Sequence, residues 1–239
     1  MRTGTIAAKR KTMKRSALIF KSIAGILFLL VVMGAALFIP HKSFDYFQAW
    51  IYLAAFFIPV IVITVYIFRF DKRLLESRLS VGAVSEKRKV KKLVQSLAWL
   101  LFISVYILSS LDSYHGWTQV ALPLSFFADA IILLAFIFLF YVFKENTFLS
   151  ATIEVQEKQK VISTGLYGII RHPMYLGAII LMGFTPLALG SWLGLIPVII
   201  LIFVIIFRAI DEEQELKKNL AGYKEYCDKV KYRLIPFIF

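Results

Sequence analysis

One cysteine in 239 residues, Cys227, excludes an intrachain disulfide and a multi-cysteine metal site. Histidine is nearly as sparse. His41, His115 and His172 are the only three, far apart in the chain, and no metal-ligand spacing joins them, so no metal is expected. Acidic residues are scarce too: 15 Asp+Glu against 28 Lys+Arg, a net charge of +13. That excess could suggest nucleic acid, but no basic groove interleaved with aromatics accompanies it. The glycine-rich fingerprint of soluble nucleotide-binding folds does not occur. No internal repeat is found, which disfavours an inverted-repeat transporter.

What the chain has in abundance is long apolar runs. It is 59% hydrophobic, with a mean hydropathy of +0.75, against about half apolar for a soluble domain. Ser22–Ile39, Tyr46–Phe68, Leu93–Leu111 and Leu122–Phe143 hold 18, 23, 19 and 22 residues. None contains Lys or Arg, and Asp129 is their only formal charge. A bilayer core needs about 20 helical residues, so each run suffices to span it. Pro173–Leu189 and Ser191–Phe207 have 17 each, at the short limit of about 17. Gly190-Ser191 between them reads as the tip of a tight helical hairpin. The N-terminal apolar run is longer than a signal-peptide core and lacks a small-residue cleavage site, so it reads as a retained first span.

The expected fold is therefore all-α and integral to the membrane, with about six transmembrane segments, the last two a hairpin. Charge sets the expected orientation. With the N-terminus inside, segments 1–16, 69–92, 144–172 and 208–239 carry 6, 9, 4 and 7 Lys+Arg, or 26 of the 28. This is the positive-inside pattern, which places both termini and these loops in the cytosol. The basic charge also suits anionic lipid head groups. His41, His115 and Asp129, six residues past Pro123, then fall toward the outer side, out of reach of a cytosolic cofactor.

Two organisational units emerge: 1–143, four generic membrane helices, and 144–239, where the chemistry-bearing residues gather. Loop 69–92 is basic and reads as a short surface helix. Loop 144–172 is polar, with a β-like stretch at Thr152–Val155 and a turn signal at Thr164-Gly165. It is longer than a connector needs, and its part Gln156–Tyr167 reads as a lid. Arg171-His172-Pro173 opens the hairpin. Proline at a first helical position marks a helix N-terminus, whose free N–H groups and positive dipole end suit a carboxylate. The same triplet also suits a topogenic flank. Arg208 and Glu212, four residues apart, share a helix face at the hairpin's exit. Alone they read equally as a snorkelling arginine and a surface ion pair. The hairpin, however, returns them to the rim that holds His172.

Read in order, Glu145-Asn146, Val155-Gln156, Thr164-Gly165-Leu166-Tyr167, Arg171-His172-Pro173-Met174-Tyr175-Leu176-Gly177, Arg208, Glu212-Glu213, Tyr223-Lys224-Glu225-Tyr226 and Arg233-Leu234-Ile235-Pro236 resemble the isoprenylcysteine carboxyl methyltransferase family. The related phospholipid methyltransferases share the arrangement. The likeness covers 144–239; upstream it rests on hydropathy. It implies S-adenosylmethionine as cofactor, S-adenosylhomocysteine as product, and a lipidic or prenylated acceptor in the bilayer. By similarity, Gln156, Gln159, Lys160, Val161, Ile162, Tyr167, His172, Pro173, Met174 and Tyr175 border the cofactor. Glu212 takes the place of the cofactor-binding acid, with Glu213 as the alternative one position on. Arg208 takes the place of the substrate-contacting arginine.

A carboxylate acceptor is already ionised at neutral pH and needs only a cation to hold it, which Arg208 supplies. An ammonium acceptor must first lose a proton, and His172 is the nearest base in sequence. The carboxylate reading is preferred. Readings from other classes are a transporter, disfavoured by spans with one acid and few amides, and a non-catalytic lipid-sensing protein.

Overall fold

The computed structural model describes residues 13–79, 89–149 and 159–238. Thr152–Val155, Gln156 and the N-terminal basic residues Arg2, Lys9, Arg10 and Lys11 lie outside them. The described residues form eight α-helices, in order α1 (Arg15–His41), α2 (Phe47–Phe70), α3 (Lys72–Leu79), α4 (Lys89–His115), α5 (Leu122–Glu145), α6 (Pro173–Ala188), α7 (Leu195–Asn219) and α8 (Tyr223–Lys229). A 3-10 turn spans Gly165–Gly168. The described residues form no strand, only an isolated parallel bridge between Ile170 and Tyr232.

Among the described residues, four helices are long and apolar enough to cross a membrane: α1, α2, α4 from Lys91, and α5. Their outward faces are bare hydrocarbon. Phe20, Phe28 and Ile58 are each more than 60% exposed, as suits residues that meet lipid. The hairpin arms differ from the expected pair of equal spans. Helix α6 has 16 residues, about 24 Å at 1.5 Å per residue, less than the roughly 30 Å of a hydrocarbon core. Helix α7 is apolar to Phe207 and then runs on without a break to Asn219. Arg208, Glu212 and Glu213 thus sit on the rigid extension of a hairpin arm.

Packing explains the order of the helices. Helix α5 lies along α2 and α6, and α4 lies along α1 and α7. Within the apolar layer, a buried polar group must find a partner. The Tyr52 hydroxyl bonds the Tyr106 hydroxyl at 2.8 Å and Thr185 Oγ1 at 3.2 Å, which ties α2, α4 and α6 together. At the far end from the cleft described below, the turn 189–194 is the hairpin tip, with Gly190 at φ +80°. The fully buried Asp112 holds it, accepting from Ser191 Oγ, the Leu193 N–H and both the N–H and hydroxyl of Thr118. His41 and His115 lie at this same end, stacked on Tyr46 and Trp117.

Helix α3 is the short helix expected in loop 69–92, with Lys72 and Arg73 exposed on one face. Leu74, Leu75 and Ser77 are buried, because α3 folds back against α1 and α2. Ser77 Oγ donates to the carbonyls of Leu74 and Leu149, which draws α3 under the chain leaving α5.

Candidate functional site

The start of α6 is fixed by backbone pairing that the sequence does not announce. The Arg171 and His172 N–H groups donate to the carbonyls of Tyr232 and Arg233, each at 2.9 Å. The C-terminal segment Tyr232-Arg233-Leu234 therefore clasps the entry to the hairpin. Upstream, Glu145 at the end of α5 accepts from Thr164 Oγ1 at 2.8 Å and from the Leu166 N–H at 3.1 Å. Gly165 is required there: its φ is +50°, and a Cβ would lie 2.2 Å from the Glu145 carboxylate. The 3-10 turn then presents Tyr167, whose carbonyl accepts from the Tyr226 hydroxyl at 2.7 Å.

These supports frame a polar cleft of about 80 Å³. Gln159, Lys160, Val161, Ile162, Tyr167, His172, Pro173, Met174, Tyr175 and Glu212 all line it. So ten of the residues expected at a cofactor are brought together here, while Gln156 lies outside the described residues. Leu149 and Gln159, on either side of 150–158, both line the cleft. Asn146, Phe148, Tyr223 and Tyr226 also line it. The two tyrosines stand one turn apart in α8, with rings 5.5 Å apart.

The adjacent acids take different places. Glu212 faces the cleft and accepts from the Tyr175 hydroxyl at 2.8 Å. Glu213 does not line it. Only 2% exposed, it is the hub of a cationic cluster, with Arg171 Nε at 2.8 Å, His172 Nε2 at 3.3 Å, Arg233 Nε at 3.3 Å and Lys217 Nζ at 3.7 Å. Burial pushes the Glu213 carboxyl up, but its hydrogen bond and charge interaction with His172, then Arg171 and Arg233, outweigh that and hold it at about 2. Arg171 also donates to the Cys227 and Val230 carbonyls. Glu213 therefore ties α7 to the start of α6 and to the C-terminal clasp.

Beyond Met174, Tyr175 and Glu212 lies a second, larger cavity of about 420 Å³. Its body is apolar, built by residues such as Phe56, Phe102, Leu181, Met182 and Ile205. Its polar head holds Arg78, Gln95, Arg208 and Glu212. Arg208 donates to Gln95 Oε1. Arg78, from α3, donates to Met174 Sδ and sits 5.1 Å over the Phe143 ring. The sequence hid Arg78 among nine basic residues of one loop, where a topogenic reading accounts for each. Asp129, in α5, lines neither cavity.

A family model described as phospholipid methyltransferase matches residues 123–222. That stretch, less than half of the chain, is similar to the phospholipid methyltransferase family. It runs from the start of α5, through the cleft, to the residue before α8, and so covers most of both cavities' walls, but not Arg78 or Gln95. The family supports a membrane methyltransferase, within the group to which the isoprenylcysteine carboxyl methyltransferases also belong. The chain is also similar to a Mus musculus protein named Delta(14)-sterol reductase TM7SF2, 33% identical over 95 residues. The match covers 37% of this chain and 22% of that protein, so the chain spans only a fraction of that relative's length.

Proposed function

We propose that this protein is an S-adenosylmethionine-dependent methyltransferase that O-methylates a carboxylate on a lipidic, bilayer-embedded acceptor. One observation carries the reading: a polar cleft and an apolar chamber meet across Met174, Tyr175 and Glu212. A water-soluble methyl donor and a lipid acceptor need two compartments with a common wall. The donor set of the cleft suits the cofactor. Glu212 offers a carboxylate to hydroxyl or ammonium groups, the first turn of α6 offers N–H groups to a carboxylate, and Phe148 and the tyrosines offer flat surfaces to an aromatic ring.

When bound, S-adenosylmethionine supplies an electrophilic methyl on a sulfonium. That methyl would pass to the acceptor oxygen as the S–CH3 bond broke, with S-adenosylhomocysteine as the product, while Glu212 and the first turn of α6 would hold the donor. No proton moves, so no general base is called for. The chain's task is alignment across the shared wall and exclusion of water from the reacting charges. Arg208, at the head of the chamber, holds the carboxylate. An amine acceptor would need a base, and His172 fits that role poorly. Its Nε2 is engaged by Glu213, and it lines the cleft rather than the chamber.

The likeness to a sterol reductase supports a second reading, in which the chamber takes a sterol-like lipid. The cationic head of the chamber counts against it, because an uncharged sterol hydroxyl has no call for guanidinium groups. In either reading the positive-inside charge supports a cytosolic cleft and cytosolic termini.

The test separates binding from transfer. Arg208→Lys keeps the charge but loses the planar fork. The variant is expected to bind S-adenosylhomocysteine as the parent does, while methyl transfer to lipid falls at least about tenfold. Full transfer by Arg208→Lys would remove the carboxylate clamp and return the amine acceptor to first place.

A further inference from the structure

The cationic head of the apolar chamber is built by two arginines from different parts of the chain. Arg208 reaches it from α7 and Arg78 from α3. A guanidinium stays protonated in proteins, so both are charges. Among the described residues, Arg78 meets no carboxylate: its contacts are the Met174 sulfur and the Phe143 ring. Arg208 is bonded to the neutral Gln95. Among the described residues, the one acid lining the chamber is Glu212, which also faces the cleft and takes the Tyr175 hydroxyl. The nearby Lys91 is balanced by Asp211 and Glu215, at 3.7 and 3.8 Å. The described residues thus give the chamber's head two cations and one carboxylate, an excess of positive charge next to hydrocarbon, where an unbalanced charge is costly.

We propose that Arg78 is a specificity-determining residue of the acceptor site: with Arg208 it forms a two-guanidinium anion subsite that admits an amphiphile with an anionic head and rejects one with an ammonium head. This rests on the methyltransferase reading and narrows its acceptor class. An anionic head neutralises the excess charge. An ammonium head would add to it, beside a sulfonium donor across the shared wall. Like charges in a poorly solvated site repel strongly. Met174 links the two compartments physically, since it lines both and its sulfur takes the Arg78 hydrogen bond.

Trp99 lines the chamber and serves as the reporter. The full-length protein in lipid nanodiscs is titrated with a terminally brominated fatty acid, ionised by raised pH, and with its neutral primary amide. Trp99→Phe provides the background from the other tryptophans. The readout is the ratio of acid to amide affinity, in which chain partitioning is common to all variants. Arg78→Gln is expected to lower that ratio at least about tenfold while S-adenosylhomocysteine binding persists. Arg78→Lys is expected to keep it within about threefold, because the charge remains. An unchanged ratio in Arg78→Gln alongside a lowered one in Arg208→Gln overturns the role of Arg78 and leaves the acceptor reading standing. An unchanged ratio in both variants overturns the anionic-acceptor reading itself. Should Arg78→Gln fail to fold, Arg78→Lys decides: a variant that binds S-adenosylhomocysteine but has lost the preference for the acid overturns the charge assignment.

Discussion

Glu212 and Glu213 differ by one position and do opposite things. Successive helical residues point about 100° apart, so only one of the two can face the cleft. The other must meet Arg171, His172 and Arg233 on the adjoining side. Glu212→Ala is expected to weaken S-adenosylhomocysteine binding by roughly 10- to 150-fold, the loss of one charge-assisted hydrogen bond, with thermal unfolding little changed. Calorimetry on detergent-solubilised protein measures the first and a melting curve the second. Glu213→Gln is expected to reverse the pattern: removing the hub leaves buried cations unpaired and costs about 3–5 kcal/mol of stability. The same carboxylate makes stability depend on acid. Its folded value of about 2 lies below its ordinary 4.5, so its contribution is complete above about 4.5 and is lost as pH falls toward 2. Urea unfolding across that window should show the loss in the parent and a flatter profile in Glu213→Gln. The sequence offered both acids as candidates and could not separate them, because helix phase is set by neighbours such as Arg233, twenty residues away.

Helix α6 shows how a motif glycine acts through packing. A Cβ on Gly177 would lie 2.5 Å from Leu139 Cδ2 and 2.8 Å from its Cγ. Small residues of this kind let membrane helices approach closely, and here they let α5 and α6 lie side by side. Gly177→Leu is expected to cost about 1–3 kcal/mol or more by overpacking. Gly183→Ala on the same helix, with nothing within 4 Å of its Cβ, should be neutral or slightly stabilising. Melting curves of the two variants in one detergent give the comparison. At this scale the sequence was most informative for the helices and least for what joins them. Hydropathy alone placed the four long helices, and Gly190-Ser191 placed the hairpin tip. The fastening of that tip by Asp112 was not legible, because Asp112 sits one residue past an apolar run and its partners, Thr118 and Ser191, come from two separate turns. Arg78 was hidden for a similar reason. A basic loop residue becomes a chamber residue only when α3 folds back against α1 and α2 and its Arg78 reaches Phe143 and Met174.

Across the whole molecule, charge and hydrophobicity divide the labour. The apolar faces suit lipid, and both cavities lie at the root of the hairpin, where the basic residues described in 69–79, 208–219 and 229–233 also lie. A single cysteine at position 160, in a chain whose Cys227 has been replaced, should therefore be labelled by an impermeant reagent only after the cells are opened. Labelling from outside intact cells would invert the topology and remove the cofactor from the cleft. The two-cavity arrangement makes the central claim directly measurable. Purified protein in lipid, incubated with methyl-labelled S-adenosylmethionine and a host lipid extract, should pass the label to a lipid from which mild base releases it as methanol, the mark of a methyl ester. Base-stable label would mean an amine acceptor and contradict the carboxylate chemistry, and absence of labelled lipid from a preparation that also fails to bind S-adenosylhomocysteine would contradict methyl transfer altogether.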